Sequence, residues 1–188
     1  KRKYLTKIAQ GEILTTFALT EPEAGSDVSM LATWATLNGD EYTLNGKKKF
    51  ISNGYAANIA VVFARTQREG KGITAFILEK GIPGFKVAKR IDLMAPHDIV
   101  EFQFEDCRTS RRSILGVEGE GLQIALRTLD VFRMSVGAAG LGMAQAAFDA
   151  ALDYSKKRVQ FGTAISTFEG ISFGIAEMAT DIEAARLL

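Results

Sequence analysis

Two different periods of hydrophobic and polar residues divide this chain. From about residue 13 to 115, short runs rich in β-branched and aromatic residues alternate with turn formers: ILTTFALT, TWATL, YTLNG, KKFIS, NIAVVFART, GITAFILEK, GFKVA and IVEFQFED. Between them stand NGD at 38–40, NG at 45 and 53, EGKG at 69–72 and GIPG at 81–84. Runs of this length and composition predict strands, and LNGDEYTLNGKKKFIS predicts a succession of hairpins. This half is expected to be mainly antiparallel β, either a compact barrel or two packed sheets.

After residue 116 the period lengthens. GVEGEG at 116–121 reads as a loop, and from Leu122 to about Lys157 there is no proline and the apolar residues recur at helical spacing. Leu122, Ala125, Leu126, Leu129, Phe132 and Val136 fall on one side, and AAGLGMAQAAF at 138–148 has the small residues that close helix packing needs. RVQFG at 158–162 interrupts the pattern, and ISFGIAEMATDIEAARLL resumes it. The prediction is one very long helix followed by a second, antiparallel one. At 1.5 Å per residue the first would be ~50 Å long, more than the β half can cover, so partner helices are expected. The fold class is therefore α+β: an antiparallel barrel or sandwich over residues 1–115, then long antiparallel helices, an incomplete helical bundle, over 116–188. The chain starts without methionine and stops in mid-pattern at EAARLL, so both ends look cut.

Composition narrows the chemistry. With 47% hydrophobic residues, 24% charged ones and a net charge of +1, the 188 residues suit an ordinary globular core and lack the broad positive field of a nucleic-acid or membrane surface. KKK at 47–49 reads as a solvated strand end. A single cysteine, Cys107, excludes an intrachain disulfide and fits a reducing compartment; its place in FQFEDCR suggests a half-buried structural thiol. One histidine, His97, with one cysteine makes no zinc cluster, and no uncharged apolar run is long enough to span a membrane.

FALTEPEAGSD, residues 17–27, holds more turn chemistry than a hairpin requires. Pro22 fixes one backbone angle, Gly25 frees another, and Ser26 and Asp27 can bind backbone amides. Such a turn can aim several N–H groups at one acceptor, a nest suited to a carbonyl or a phosphate. Alternatively, Ser26 or Asp27 only caps a short turn at VSML.

Taken in order, FALTEPEAGSD, YTLNGKKKFISNG, FEDCR, ILGVEGEG and KKRVQFG resemble the acyl-CoA dehydrogenases, flavin enzymes that place a double bond between Cα and Cβ of an acyl thioester. The resemblance covers essentially the whole chain and implies a middle β domain with the first half of the C-terminal four-helix bundle. It implies FAD as cofactor, an acyl-CoA as substrate, an electron-transfer flavoprotein as electron acceptor, and a homo-oligomer, a tetramer in the family. A cytoplasmic location would follow for a bacterial source, and the mitochondrial matrix for a eukaryotic one.

The resemblance also carries residues. Phe17, Leu19 and Thr20 would line the pyrimidine side of the flavin, and Ser26 would sit beside the acyl-CoA. Phe50, Ile51 and Ser52 would form the strand against the ring, with the Ser52 hydroxyl near the nitrogen that accepts hydride; many members carry tryptophan and threonine there and tyrosine at Phe17. Arg158 and Phe161 would reach the diphosphate and adenine of a flavin bound by an adjacent subunit, unless Arg158 merely answers a helix dipole. Asp130 and Arg133 would face CoA and the catalytic carboxylate, or form a plain helix-surface ion pair.

No catalytic base is assigned. In most branches the base is a glutamate further along than residue 188. In two branches it immediately precedes the arginine matched by Arg133, where this chain has Phe132, which cannot take a proton. Glu21 and Glu23 belong to the loop, and Glu118 and Glu120 to the turn before the helix. MAPHDIVEF at 94–102 departs from the family's usual Gly-x-Arg pattern and reads as a surface turn. The resemblance leans toward short-chain substrates; an acyl-CoA oxidase and a non-catalytic binding scaffold share the scaffold.

Overall fold

The computed structural model describes residues 3–66, 72–94 and 97–188; Pro96 and most of the turn at 69–72 lie outside them. The chain divides into two compact units, Lys1–Arg127 and Thr128–Leu188. After a short helix α1 (Leu5–Ala9), the first unit consists of strands β1 (Thr15–Ala18), β2 (Trp34–Asn38), β3 (Glu41–Ser52), β4 (Ile59–Arg65), β5 (Ile73–Glu79), β6 (Phe85–Arg90), β7 (Ile99–Ser110) and β8 (Ile114–Leu115).

These strands form one sheet in the order β6-β7-β3-β2-β4-β5-β8, with β1 paired to β4. The path has two ends, so the sheet stays open and does not close as a barrel. It coils instead, bringing Tyr42 of β3 against Phe76 of β5 with ring centroids 5.1 Å apart, although two strands separate them in the sheet. Leu44, Val62, Phe76, Leu78, Phe102 and Phe104 join the core between the facing parts. Val62, Phe63 and Ala64 are consecutive and all fully buried, so β4 is covered on both faces.

One local reading changes. YTLNG and KKFIS are parts of the single strand β3, because Asn45-Gly46 makes an in-strand irregularity and not a turn. The Asn45 carboxamide is spent across the sheet, donating to Asp106 Oδ1 at 3.2 Å and accepting from Asp106 N at 2.8 Å. Gly46, at φ 150°, lies so close to the chain at Thr33 that a Cβ would come within 2.7 Å of its Cα.

Strands β1 and β2 occupy the same edge of β4, both parallel to it: Thr15–Ala18 pair with Ile59–Val62, and Trp34 pairs with Arg65. Residues 19–33 are thus an excursion that leaves this sheet edge and returns to it a few residues further along. The whole of FALTEPEAGSD beyond Ala18 lies in that excursion.

Helix α2 (Gly121–Lys157) begins in the first unit, where Gly121 sits against β5 so tightly that a Cβ would be 2.7 Å from the Ala75 nitrogen. Ala125 is fully buried there. The rest of α2 continues into the second unit, followed by the hairpin β9 (Val159–Gln160) and β10 (Thr163–Ala164), then α3 (Glu169–Leu187). Arg186, near the end of α3, donates to the Gln145 carboxamide oxygen within α2 at 2.7 Å, as an antiparallel pair of helices requires. None of the helices among the described residues is long and apolar enough to cross a membrane.

Cys107 of β7 is fully enclosed in the core, and burial pushes its thiol up to about 11. The thiolate is the reactive form. Native protein at about pH 8 is therefore expected to resist iodoacetamide over a period that labels the unfolded chain fully. Labelling of the native protein at the unfolded rate would show that Cys107 is accessible.

Candidate functional site

The excursion at 19–33 is tied to β3 by a buried ion pair. Glu21 Oε2 accepts from the Ala32 N–H at 2.5 Å, while Oε1 accepts from the Thr33 N–H at 3.0 Å and from Lys48 Nζ at 2.7 Å. Lys48 also donates to the Leu19 carbonyl at 3.0 Å. The two side chains are 5% and 0% exposed. Burial pulls the Lys48 ammonium down to about 8, against the opposing pull of the Glu21 charge. For Glu21, burial pushes the carboxyl up, but Lys48 and the hydrogen bonds from Thr33 and Ala32 outweigh it and hold the group below its ordinary range.

Lys48 is not the solvated strand residue that KKK suggested. Its inward position follows from Tyr42 and Leu44, which precede it on the same face of β3 at even spacing and are both buried. That parity was legible in the sequence, although three adjacent lysines masked it.

Beyond Lys48 the strand bulges. Pairing with β7 shifts between Lys48 and Ile51, and Phe50 takes a left-handed φ of 59°. Uninterrupted alternation would have put Phe50 and Ser52 on the Lys48 face. The extra residue resets the alternation, so Lys48 and Ile51 both point into the core while Phe50 and Ser52 face outward. An aromatic residue in that region costs about 1–3 kcal/mol, and strain of this kind gathers at functional sites.

Two further hydrogen bonds stitch β1 and the excursion to this bulged segment. Lys49 N–H donates to the Thr20 carbonyl at 2.8 Å, and the Thr16 hydroxyl donates to the Ser52 carbonyl at 2.6 Å. Phe17, Leu19 and Thr20 are thereby brought beside Phe50, Ile51 and Ser52. Phe17 rests edge-on against Phe63, with centroids 4.9 Å apart. Leu19 and Ile51 are buried as whole residues, and the Leu19 carbonyl already accepts from Lys48. The hydroxyls of Thr20 and Ser52 take no partner among the described residues.

Within the loop, Asp27 is the residue that caps the turn: its carboxylate accepts from the Ser29 N–H at 3.0 Å and the Ser29 hydroxyl at 2.6 Å. Ser26 is exposed and makes no hydrogen bond among the described residues. The turn after Ser52 is held by Asp98, which accepts from the N–H groups of Tyr55 and Ala56 through Oδ2 and from Asn53 through its carbonyl. His97 is exposed and lines a cleft of about 470 Å³ with Tyr55, Arg90, Asp92 and Asp98. Glu21, Lys48, Asp98 and Thr16 are the supporting residues that sequence reasoning did not single out.

The second unit holds the other candidates. Asp130 and Arg133 form an exposed ion pair at 2.6 Å, one helical turn apart. The Arg158 main chain joins the end of α2 to the hairpin, donating to Tyr154 O and accepting from Ile165 N, each at 2.9 Å. Its guanidinium is exposed and has no partner among the described residues. Phe161 is 96% exposed at a left-handed φ of 52°. Among the described residues, the non-glycine residues at positive φ are Asn53 and Asp106, whose short side chains tolerate it, and two phenylalanines, Phe50 and Phe161. Both phenylalanines are flavin candidates by resemblance.

Comparison with known proteins places the chain as a whole. The family described as acyl-CoA dehydrogenase, middle domain, matches residues 16–107, and acyl-CoA dehydrogenase, C-terminal domain, matches residues 119–188. The short-chain-specific acyl-CoA dehydrogenase of Megasphaera elsdenii is 49% identical over 193 residues, covering 100% of this chain and 50% of that protein. The solved butyryl-CoA dehydrogenase of the same organism superposes with a TM-score of 0.92 at 48% identity, over 98% of this chain and 49% of that one. A solved structure described as the electron transferring flavoprotein of Acidaminococcus fermentans contains a chain that superposes with a TM-score of 0.93 at 50% identity, over 99% of this chain and 50% of that one. The chain thus spans about half the length of these relatives.

Proposed function

The chain belongs to the acyl-CoA dehydrogenase family, and from that premise we propose that the whole protein oxidises a short-chain acyl-CoA between Cα and Cβ, with FAD as cofactor. The observation that carries this reading concerns Thr20 and Ser52, whose hydroxyls take no partner among the described residues. Their carbonyls both accept the bonds that tie β1 and the loop to the segment around a solvent-facing Phe50 held in a strained bulge. A flat heteroaromatic ring needs that combination: polar groups for its edge and an apolar wall for its face.

When bound, FAD supplies the acceptor for the Cβ hydride. The chain's own residues bind and orient. Thr20 and Ser52 hydrogen-bond the ring's edge, Phe17 and Phe50 exclude water from it, and Ser26 lies toward the thioester. Arg158 offers a free planar fork, suited to diphosphate oxygens in pairs; Phe161 offers an exposed face to the adenine. Asp130 and Arg133 turn toward CoA.

The Cα proton needs a carboxylate base, and none of these residues provides it. Glu21 is buried and neutralised by Lys48, Glu118 lies 3.2 Å from Arg111, and Phe132 is apolar. By resemblance to the family, the base is assigned to a glutamate in a part of the whole protein outside these 188 residues. Oligomer formation is part of the proposal, because α2 exposes Val131, Met134, Val136 and Met143 at 70–81%, an apolar surface that asks for cover. In that assembly, a tetramer, Arg158 serves the flavin of a neighbouring subunit. Similarity to a chain from an electron transferring flavoprotein structure supports such a flavoprotein as electron acceptor.

Anaerobic titration with butyryl-CoA tests the activity. The whole protein should lose its visible flavin band, whereas these 188 residues reconstituted with FAD should not. Bleaching by the 188 residues alone would overturn the assignment of the base, and an unbleached whole protein would overturn the activity.

A further inference from the structure

The Glu21–Lys48 pair is a buried charged group that the proposed chemistry does not use. Its bonds are distributed in a telling way. Lys48 holds the outgoing end of the excursion at Leu19, and Glu21 holds the returning end at Ala32 and Thr33. Both ends are thus tied to the strand that carries Phe50 and Ser52. The returning end lies directly on that strand, where the Thr33 hydroxyl donates to the Lys47 carbonyl at 3.3 Å and Gly46 leaves room for the approach. Thr20 stands between the two ends, its carbonyl held by Lys49 N–H.

We propose that Lys48 and Glu21 are a positioning pair for the flavin site, fixing the excursion on β3 so that the Thr20 hydroxyl is held at a set distance from the Ser52 hydroxyl. The inference rests on the flavin reading above. Stability alone is a weak account of the pair, since well-packed apolar side chains of similar volume often stabilise a core as well as a buried ion pair does. What charge adds is direction: the ammonium and the carboxylate accept only partners at defined angles, and here those partners are the main-chain groups at the two ends of one loop. Burial lowers the proton affinity of Lys48, and the Glu21 charge and hydrogen bond oppose that fall.

The test uses the whole protein and three variants: Glu21→Gln, Lys48→Met and the double variant, which leaves no unpaired charge if a single variant fails to fold. Hydrogen exchange is measured without FAD, then FAD affinity and the visible spectrum of the bound flavin. In the double variant, which leaves no buried unpaired charge, the amides of Ala32, Thr33 and Lys49 are expected to lose about tenfold or more of their protection while those of β4 and β5 keep theirs, since the charged groups that hold the loop are lost locally. FAD affinity should fall by about tenfold or more, with a shifted flavin band, as the ring's hydrogen-bonding edge is displaced. Unchanged protection of the three amides in the double variant would overturn the clamp. Lost protection with unaltered affinity and spectrum would overturn the positioning role and leave the flavin reading standing. Failure of the unaltered protein to bind FAD, seen before any variant is made, would overturn the flavin reading and with it this inference.

Discussion

Replacing Lys48 with methionine is expected to destabilise the first unit by about 3–5 kcal/mol, because Glu21 is left as a buried carboxylate without its cation. For a chain of this size that corresponds to a fall in Tm of roughly 6–20 °C. The amides of Ala32 and Thr33 remain to Glu21, but two neutral donors do not replace an ammonium. Adding Glu21→Gln should recover much of the loss, since the double variant buries no charge. A single variant as stable as the unaltered protein would mean that the pair contributes nothing.

The pH dependence of this loss identifies its cause. In the unaltered protein Glu21 is held below its ordinary range, so its stabilising contribution is present above the unfolded carboxyl pKa and disappears as pH falls through the folded one. Lys48 has a folded pKa of about 8 against the usual 10.5, so between those values the unfolded state binds more protons and this group's contribution rises with pH. In the Lys48→Met variant the cation is gone and burial dominates Glu21, raising its folded pKa above the unfolded one. Protonation then favours the folded variant, and its deficit shrinks as pH falls. Urea melts at about pH 5 and about pH 7.5 should show the smaller deficit at the lower pH. Equal deficits would trace the loss to packing.

Replacing Arg158 with alanine is expected to weaken FAD binding by about 10- to 100-fold, the scale of losing a hydrogen bond between charged groups. The guanidinium is exposed and unengaged among the described residues, so folding stability should change by less than about 0.5 kcal/mol. Lysine at this position keeps the charge but not the planar fork, and should restore only part of the affinity. Flavin fluorescence titration reads the effect directly. Unaltered affinity in the alanine variant would leave Arg158 as a cation at the end of α2 and remove it from the diphosphate site.

Some of this molecule is local and some is not. The long α2 is legible because its cause is local: apolar spacing without proline from Leu122 to Lys157, against an observed helix of Gly121–Lys157. Most strands are legible for the same reason, since β-branched and aromatic runs between turn formers recur along the first half. The hairpin after Lys157 was visible only as a break, because a two-residue strand carries no period. The capping role fell to Asp27 and not Ser26, a choice that VSML allows either way.

The sequence by itself determined the α+β class, the change of period near residue 116 and, through motifs kept in order, the family and its candidate flavin residues. Only the tertiary structure decided that the sheet stays open, that β1 and β2 share an edge of β4, and that Lys48 is buried on Glu21 across 27 residues of chain. The bulge at Phe50 belongs with these, because strand alternation alone would have turned Ser52 the other way. The physical reason is range. Propensity and periodicity act within a few residues, whereas the partner of a buried charge and the register of a strand depend on segments that meet only when the sheet has coiled.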